Sequence, residues 1–194
     1  TFNITATSLA VTVNGEGGSD TLAGSLIDNI TITGSDADGF NGTEDSIGGF
    51  FGINSITGPA SGTFTGSNVN STWTLDGVTR TYFDGVNTLS FTGFSTLQGG
   101  TAVDDFDVVN NAVPVGAAAT LRGGAGNDSF DIDVNLSGAV DGQGDSDTLD
   151  ISVAAANATI TALVATQGAS LTTASITGGA AGINTLTGNA TGSL

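Results

Sequence analysis

Apolar residues occur along the chain in short runs that clusters of Gly, Asn and Asp interrupt. This pattern predicts many brief strands joined by tight turns. Residues 71–75 and 78–83 alternate polar with apolar or aromatic side chains, which predicts a hairpin with one buried face. The Ala-rich stretch 153–164 contains a β-branched run and is also predicted to be strand. Helix signals are nearly absent, so the pattern predicts an all-β fold.

A short sequence pattern recurs, in which a Gly-rich turn and an acidic residue precede an inward-pointing Leu or Phe. It occupies residues 97–106, 121–130 and 140–149. The three segments begin 24 and 19 residues apart. Steps of this length are typical of a parallel β-solenoid, of the β-helix or β-roll kind. Each coil would place its apolar residues in a narrow interior and its Gly–Asp turns along one edge, because Gly tolerates the positive φ of tight corners.

The second half of the sequence repeats the first at an offset of about 128 residues. Residues 14–22 return as 141–149, residues 29–33 as 157–161, and residues 52–58 as 182–188. The repeat predicts one full module, residues 1–128, with a hairpin excursion at 63–94, and the first half of a second module, residues 129–194. We expect a segment of a longer array, or one unit of a polymer.

Composition and charge narrow the class of protein. With 38% hydrophobic residues and a mean hydropathy of +0.21, the chain should fold despite its net charge of −17. Nineteen acidic residues against two basic ones exclude nucleic acid as a partner, since phosphate binding requires clustered Lys and Arg. No apolar run is long enough for membrane insertion. Divalent cations would relieve the self-repulsion of the acidic residues.

One turn carries a recognisable motif. Residues 123–130, Gly-Gly-Ala-Gly-Asn-Asp-Ser-Phe, match the calcium-binding nonapeptide of the repeats-in-toxin proteins at every defined position. Around it, residues 52–58, 73–75 and 91–100 resemble the repeat-rich strand regions of very large secreted or surface-attached bacterial adhesin-like proteins. The resemblance implies an extracellular protein whose Gly–Asp turns bind calcium, and the absence of Cys fits it.

The resemblance also implies a set of calcium ligands. The Asp128 carboxylate would act with the carbonyls of Gly124 and Gly126. Consecutive turns share each ion in the family, so the partner turn would supply Gly142, Gly144, Asp145 and Asp147. Weaker forms of the motif place further ligands at Asp104 and Asp20. The alternative is a metal-free turn, because Asn and Asp adopt left-handed geometry and bond their own backbone.

A second candidate calcium loop begins at Asp36 and Asp38, in the pattern Asp-x-Asp-Gly with a later Glu. It lacks the register of an EF-hand, and its counterpart in the second module has no carboxylate. A plain acidic surface loop is the simpler interpretation.

Few side chains could act as general acids, general bases or nucleophiles, because the chain has no His, Cys or Lys. We therefore predict no enzyme activity; Arg80 or Arg122 in a polysaccharide lyase, or a carboxylate pair in a glycosidase, are the alternatives. The aromatic residues of 63–94 predict a packed hairpin, or alternatively a carbohydrate-stacking patch.

The predicted function is structural: a stalk, adhesin or matrix filament of a large extracellular bacterial protein. Its partners would be neighbouring modules or identical subunits stacked end to end, together with cell-surface or matrix polysaccharide. A self-assembling filament subunit, a polysaccharide-active enzyme or accessory module, and an ice-binding solenoid are the alternatives.

Overall fold

The computed structural model describes residues 1–6, 9–77, 79–110, 119–154, 158–164 and 167–188. Every regular element within these ranges is a β-strand, which confirms the all-β prediction. The strands are β1 (Phe2–Asn3), β2 (Leu9–Asn14), β3 (Thr21–Ala23), β4 (Asn29–Asp36), β5 (Gly39–Glu44), β6 (Ile47–Ile53), β7 (Ser55–Thr57), β8 (Thr63–Thr65), β9 (Ser71–Asp76), β10 (Thr79–Phe83), β11 (Thr88–Thr92), β12 (Thr96–Gln98), β13 (Asp104–Asn110), β14 (Ala119–Gly124), β15 (Ser129–Ile132), β16 (Gly138–Gln143), β17 (Asp147–Asp150), β18 (Ala158–Val164), β19 (Gly168–Thr173) and β20 (Ile176–Thr187).

Parallel pairing joins strands that are far apart in sequence. One parallel series runs β1, β3, β7 and β11. A second runs β4, β8, β12, β14, β16 and the first half of β20. A third runs β9, β13, β15, β17 and the second half of β20. Strands β2 and β6 also pair in parallel.

Antiparallel meanders interrupt these series. They are β4–β5–β6, β9–β10–β11 and β18–β19–β20. The 20-stranded sheet therefore has mixed orientation and is not the purely parallel coil that the sequence predicts. The physical reason is the length of the connections: a tight turn at Gly39, with φ of 140°, reverses the chain, whereas a parallel partner needs a long crossover.

The meander β18–β20 repeats the pairing of β4–β6 at positions that the sequence repeat matches. Gly52 and Gly182 both have left-handed φ, of 66° and 71°. Asn54 Oδ1 accepts from the Asp20 N–H at 2.9 Å, and Asn184 Oδ1 accepts from the Asp147 N–H at 3.0 Å. The hairpin predicted from the sequence includes Val78, and the predicted repeat includes Asn157 and residues 189–194. These residues lie outside the described part of the chain.

The core consists of side-chain columns that run through the parallel series. Phe64, Leu97 and Leu121 are in register with one another and fully buried. In the next column the Trp73 and Phe106 rings stack at a centroid distance of 5.4 Å, and Phe106 and Phe130 stack at 5.1 Å. These columns make one continuous hydrophobic cluster, whose other members include residues of all three meanders.

The hairpin predicted at 71–83 is confirmed, because β9 and β10 pair antiparallel with Trp73 opposite Tyr82. Trp73, Tyr82, Phe91 and Phe94 are at most 1% exposed. They belong to the core, so the interpretation of these four residues as a carbohydrate-stacking patch is wrong. In the described part of the chain, no helix is long and apolar enough to cross a membrane.

Candidate functional site

Three aspartates occupy the same place in three stacked turns. Asp104, Asp128 and Asp147 each stand at or just before the start of a strand, after a Gly-rich turn. Two residues later, Phe106, Phe130 and Leu149 point into the core. Alternation along a strand therefore turns the aspartates inward as well, and all three are at most 1% exposed. We call Asp104, Asp128 and Asp147 the Asp ladder.

Hydrogen bonds link the Asp ladder from one stacked turn to the next. The Asp104 N–H donates to Oδ1 of Asp128 at 2.8 Å, and the Asp128 N–H donates to Oδ1 of Asp147 at 2.9 Å. The Asp147 N–H then donates to Oδ1 of Asn184 at 3.0 Å. The last acceptor is a neutral amide, so an uncharged side-chain oxygen is sufficient to accept this hydrogen bond.

The carboxylates of the Asp ladder differ in how well they are satisfied. Asp104 accepts from the Ser71 hydroxyl and from Trp73 Nε1 through Oδ1, and from the Gly100 N–H through Oδ2 at 2.8 Å. By contrast, Oδ2 of Asp128 and Oδ2 of Asp147 are buried and have no hydrogen-bond partner. Such a group is costly unless a proton or a cation compensates it.

Burial sets the electrostatics of the Asp ladder. It raises the pKa of Asp128 to about 7, and the charges of Asp104 and Asp147 add to the effect. It also raises the pKa of Asp147 to about 6, and the Asp145 and Asp141 charges contribute. The pKa of Asp104 is raised by burial too, although the Ser71 and Trp73 hydrogen bonds oppose the shift. Asp128 and Asp147 can therefore hold protons near neutral pH, or exchange them for a cation.

The structure brings the two turns of the predicted calcium site together. Gly144 N–H donates to the Gly124 carbonyl at 2.9 Å, and Gly126 N–H donates to Oδ2 of Asp145 at 3.0 Å. The predicted ligands Gly124 and Asp145 are thus already used to join the turns. Gly142 lies beneath Asp147, where a Cβ would come within 2.4 Å of Oδ2.

The oxygen atoms at these two turns provide part of a cation site. Each turn offers one unpartnered buried carboxylate oxygen, on Asp128 and on Asp147. Within the described ranges, no three His, Cys, Asp or Glu side chains are grouped to hold a metal ion. A calcium ion at these turns would take its remaining oxygen ligands from backbone carbonyls, as the hard cation accepts.

The other predicted ligands lie away from the Asp ladder. Asp20 lies between β2 and β3, with its Oδ1 4.0 Å from the N-terminal amine of Thr1. Asp36 and Asp38 form the exposed turn between β4 and β5, where the Asp36 carboxylate accepts from Asn41 Nδ2 and from the Asp38 N–H. These hydrogen bonds lower the pKa of Asp36. The arrangement is that of a hydrogen-bonded hairpin turn.

Sequence reasoning missed two acidic features, although the second of them keeps the 24- and 19-residue steps of the Asp ladder. Glu44 is 3% exposed, its Oε1 has no partner, and burial raises its pKa. On the outer face, Asp107, Asp131 and Asp150 stand in register on β13, β15 and β17. Desolvation, with repulsion from neighbouring aspartates, raises the pKa of both Asp107 and Asp131.

The two arginines have different surroundings. Arg80 is 8% exposed and donates from Nη1 to the Gly93 carbonyl at 3.3 Å, and burial lowers its pKa. Arg122 is exposed on β14. Arg80 is therefore packed within the second meander and does not face solvent.

Two serines allow a matched test of the buried hydrogen bonds. Ser71→Ala should destabilise the protein by about 1–3 kcal/mol, because it removes a donor from the buried Asp104 carboxylate. Ser129→Ala removes a similar hydrogen bond to Asp105 that is exposed, and should change the free energy of unfolding by less than about 0.5 kcal/mol. Urea unfolding measures both. Equal losses would contradict a stabilising role for the buried hydrogen bond from Ser71 to Asp104.

Comparison with known proteins does not supply a relative. No family model matches the chain, and no curated protein and no solved structure matches it at a significant level.

Proposed function

We propose that this chain is a structural segment of a large extracellular bacterial repeat protein, serving as a stalk, adhesin or matrix filament. The observation that carries the proposal is the in-register side-chain columns of the parallel series, such as Trp73, Phe106 and Phe130. A fold of this kind grows along one axis by adding coils, and each coil buries the face of the one before. Its finer architecture is a parallel β-solenoid from which antiparallel meanders branch.

The matched meanders support a modular organisation. The β4–β6 and β18–β20 meanders have the same order of pairing, and their sequences correspond at an offset near 128 residues. Modules of this type would stack on one another as partners. Residues 1–128 and 129–194 are the proposed module and partial module, and polysaccharide of the cell surface or matrix is the proposed further partner.

Calcium is the proposed stabilising ion. The unpartnered Oδ2 atoms of Asp128 and Asp147 would be its carboxylate ligands, since they are buried oxygens with no donor. A cation there would also offset the repulsion among Asp128, Asp145 and Asp147. An extracellular setting supplies millimolar calcium, which suits weak sites of this type.

Thermal unfolding tests the calcium proposal. In chelator at about pH 8 the wild-type midpoint should rise on adding excess calcium, by an amount equivalent to about 2–3 kcal/mol at a hundredfold excess over the Kd. Asp128→Asn should remove most of this rise, because the amide keeps the hydrogen bond but not the charge. Asp36→Asn serves as the control, because that carboxylate lies in an exposed turn. An equal calcium response in Asp128→Asn would exclude this site.

Sedimentation and incubation with acidic polysaccharide separate the structural proposal from its alternatives. A filament subunit would show a sedimentation coefficient that grows with concentration. A polysaccharide-active enzyme would release shorter saccharides. We expect a single species and no release of shorter saccharides, and either of the other results would replace the proposal.

A further inference from the structure

An apolar groove lies beside the last meander. It has a volume of about 560 Å³, and its aliphatic lining residues are Leu163, Val164, Ala169, Leu171, Ile183 and Leu186. Leu163 is 78% exposed and Val164 is 45% exposed. In a chain of net charge −17, the lining of this groove contains no charged side chain. Contiguous exposed apolar surface of this kind marks an interaction site.

The first module shows what covers the matching surface. Ala169, Asn184 and Leu186 correspond to Phe40, Asn54 and Ile56 through the sequence repeat. All three of the first-module residues contact the β9–β11 meander. The Phe40 and Tyr82 rings meet edge to face at 5.7 Å, the Asn54 carbonyl accepts from the Ser90 N–H at 3.1 Å, and Ile56 is in register with Phe91.

The shape of the groove and the strand edge beside it also suit a β-meander. Ala169 stands where the first module has Phe40, so the second module has room for a larger partner side chain. Residues 185–187 of β20 pair with β17 on one edge, and among the described pairings no strand lies on their other edge, whereas Ile183 also pairs with Ala169 of β19. In the first module β7 uses both edges, pairing with β3 and with β11. An unpaired strand edge is a template for a further strand.

We propose that the groove docks an antiparallel β-meander with the chemistry of residues 71–92, whose last strand adds to the edge of β20 and whose aromatic side chains fill the space above Ala169. The proposal rests on the modular stacking proposed above, and it assigns one surface and one kind of partner to that stacking. Recognition combines backbone hydrogen bonds along the edge with apolar side-chain contacts.

The experiment extends the full chain with a second copy of residues 65–110 placed after Leu194. This joint keeps the phase of the repeat, because 187–194 lines up with 57–64. Hydrogen exchange followed by mass spectrometry compares the extended and parent chains. Docking should slow exchange of those amides of 183–187 that face the free edge by about tenfold or more, since they become buried and hydrogen-bonded.

Two substitutions make the result specific. Ala169→Asp in the extended chain should restore the exchange of the parent, because a carboxylate would enter the apolar contact. Val153→Asp, at a position 64% exposed and outside the groove lining, should leave the protection unchanged. Ala169→Asp in the parent chain shows whether the substitution alone unfolds β19. Equal protection with and without Ala169→Asp would overturn the proposal.

The remaining outcomes are distinct. Unchanged exchange of 183–187 in the extended chain, with β12–β17 well protected, would overturn docking while leaving the stacked fold in place. Fast exchange throughout β12–β17 would count against the proposed structural function itself. Protection of 183–187 that rises with concentration in the parent chain would mean that a second copy occupies the groove, and would also overturn the proposal.

Discussion

The protein should lose stability as the pH rises from about 4 to about 8 in the presence of a chelator. Folding raises the pKa of Asp128 to about 7 and that of Asp147 to about 6, from about 3.9 in the unfolded chain. A raised pKa stabilises the fold fully below the unfolded value and loses that stabilisation as the pH passes the folded value. The window of loss is therefore about pH 4 to 7.

The expected loss of stability is large because the pKa shifts of Asp128 and Asp147 are large. Each unit of pKa corresponds to about 1.4 kcal/mol, so ionising Asp128 and Asp147 costs on the order of 3 kcal/mol each. The raised pKa values of Asp104 and Glu44 act in the same direction, whereas the lowered pKa of Asp36 opposes them. For a chain of this length the midpoint should fall by on the order of 10 °C or more. Calorimetry across this pH range measures it.

Asp128→Asn is the decisive variant. It should flatten the pH dependence and raise the midpoint at about pH 8, because the neutral amide keeps an acceptor for the Asp104 N–H. Asn184 already serves the next rung in this way, which shows that the geometry accommodates an amide. Asp45→Asn, in an exposed loop, controls for the loss of one negative charge. A midpoint that stays level between pH 4 and 8 would mean that the buried carboxylates are not protonated in the fold.

If calcium binds as proposed, it competes with protons for the same oxygens. Below about pH 6 the unpartnered Oδ2 atoms carry protons, and above about pH 7 they are bare charges that a cation can neutralise. The calcium response of the midpoint should therefore grow with pH. The two measurements separate a metal site from a purely structural Asp ladder, because only the metal site makes the alkaline loss reversible by calcium.

Local pattern was sufficient for several elements. The alternation at 71–83 predicted the β9–β10 hairpin, because each strand exposes its polar side chains on one face. The Gly-rich turns before Asp128 and Asp147 predicted two adjacent corners, and the structure stacks them. Both predictions depend on neighbours in sequence or on a short recurring sequence pattern, which a single sequence displays directly.

Long-range contacts were beyond the reach of the same reasoning. Ser71 and Trp73 satisfy Asp104 across a separation of more than thirty residues, and their own segment looks like an ordinary amphipathic strand. Glu44 resembles a surface acid of a turn, yet the fold buries it. The meanders at 29–53 and 158–187 were missed as antiparallel elements because short strands with Gly-rich turns suit parallel and antiparallel pairing equally.

Gly123→Ala should be among the most destabilising single-methyl changes in the protein. A Cβ at position 123 would lie 2.2 Å from Oδ2 of Asp128 and 2.7 Å from the carbonyl oxygen of Gly142 on the neighbouring strand β16. The side-chain oxygen is buried and the carbonyl belongs to a packed strand, so neither can move aside freely. We expect a loss of about 3 kcal/mol, at the upper end of ordinary overpacking costs, in urea unfolding.

Gly34→Ala is the matched control, because it also adds one methyl to a strand glycine. Nothing lies within 4 Å of a Cβ at position 34, and Gly34 is not in the left-handed region. The substitution should be neutral or stabilise the protein by up to about 1 kcal/mol, through the reduced entropy of the unfolded chain. A similar loss at positions 34 and 123 would mean that strand propensity, and not contact with the Asp ladder, sets the cost.

The double variant Gly123→Ala/Asp128→Ala identifies the obstacle. Removing the carboxylate frees the space at 2.2 Å but leaves the Gly142 carbonyl at 2.7 Å, so the two losses should sum to more than the double variant shows. A coupling of about 1 kcal/mol or more would establish that glycine is required at position 123 by the inward-facing aspartate. Strict additivity would assign the whole cost to the neighbouring strand, and the glycine would then be a requirement of coil spacing alone.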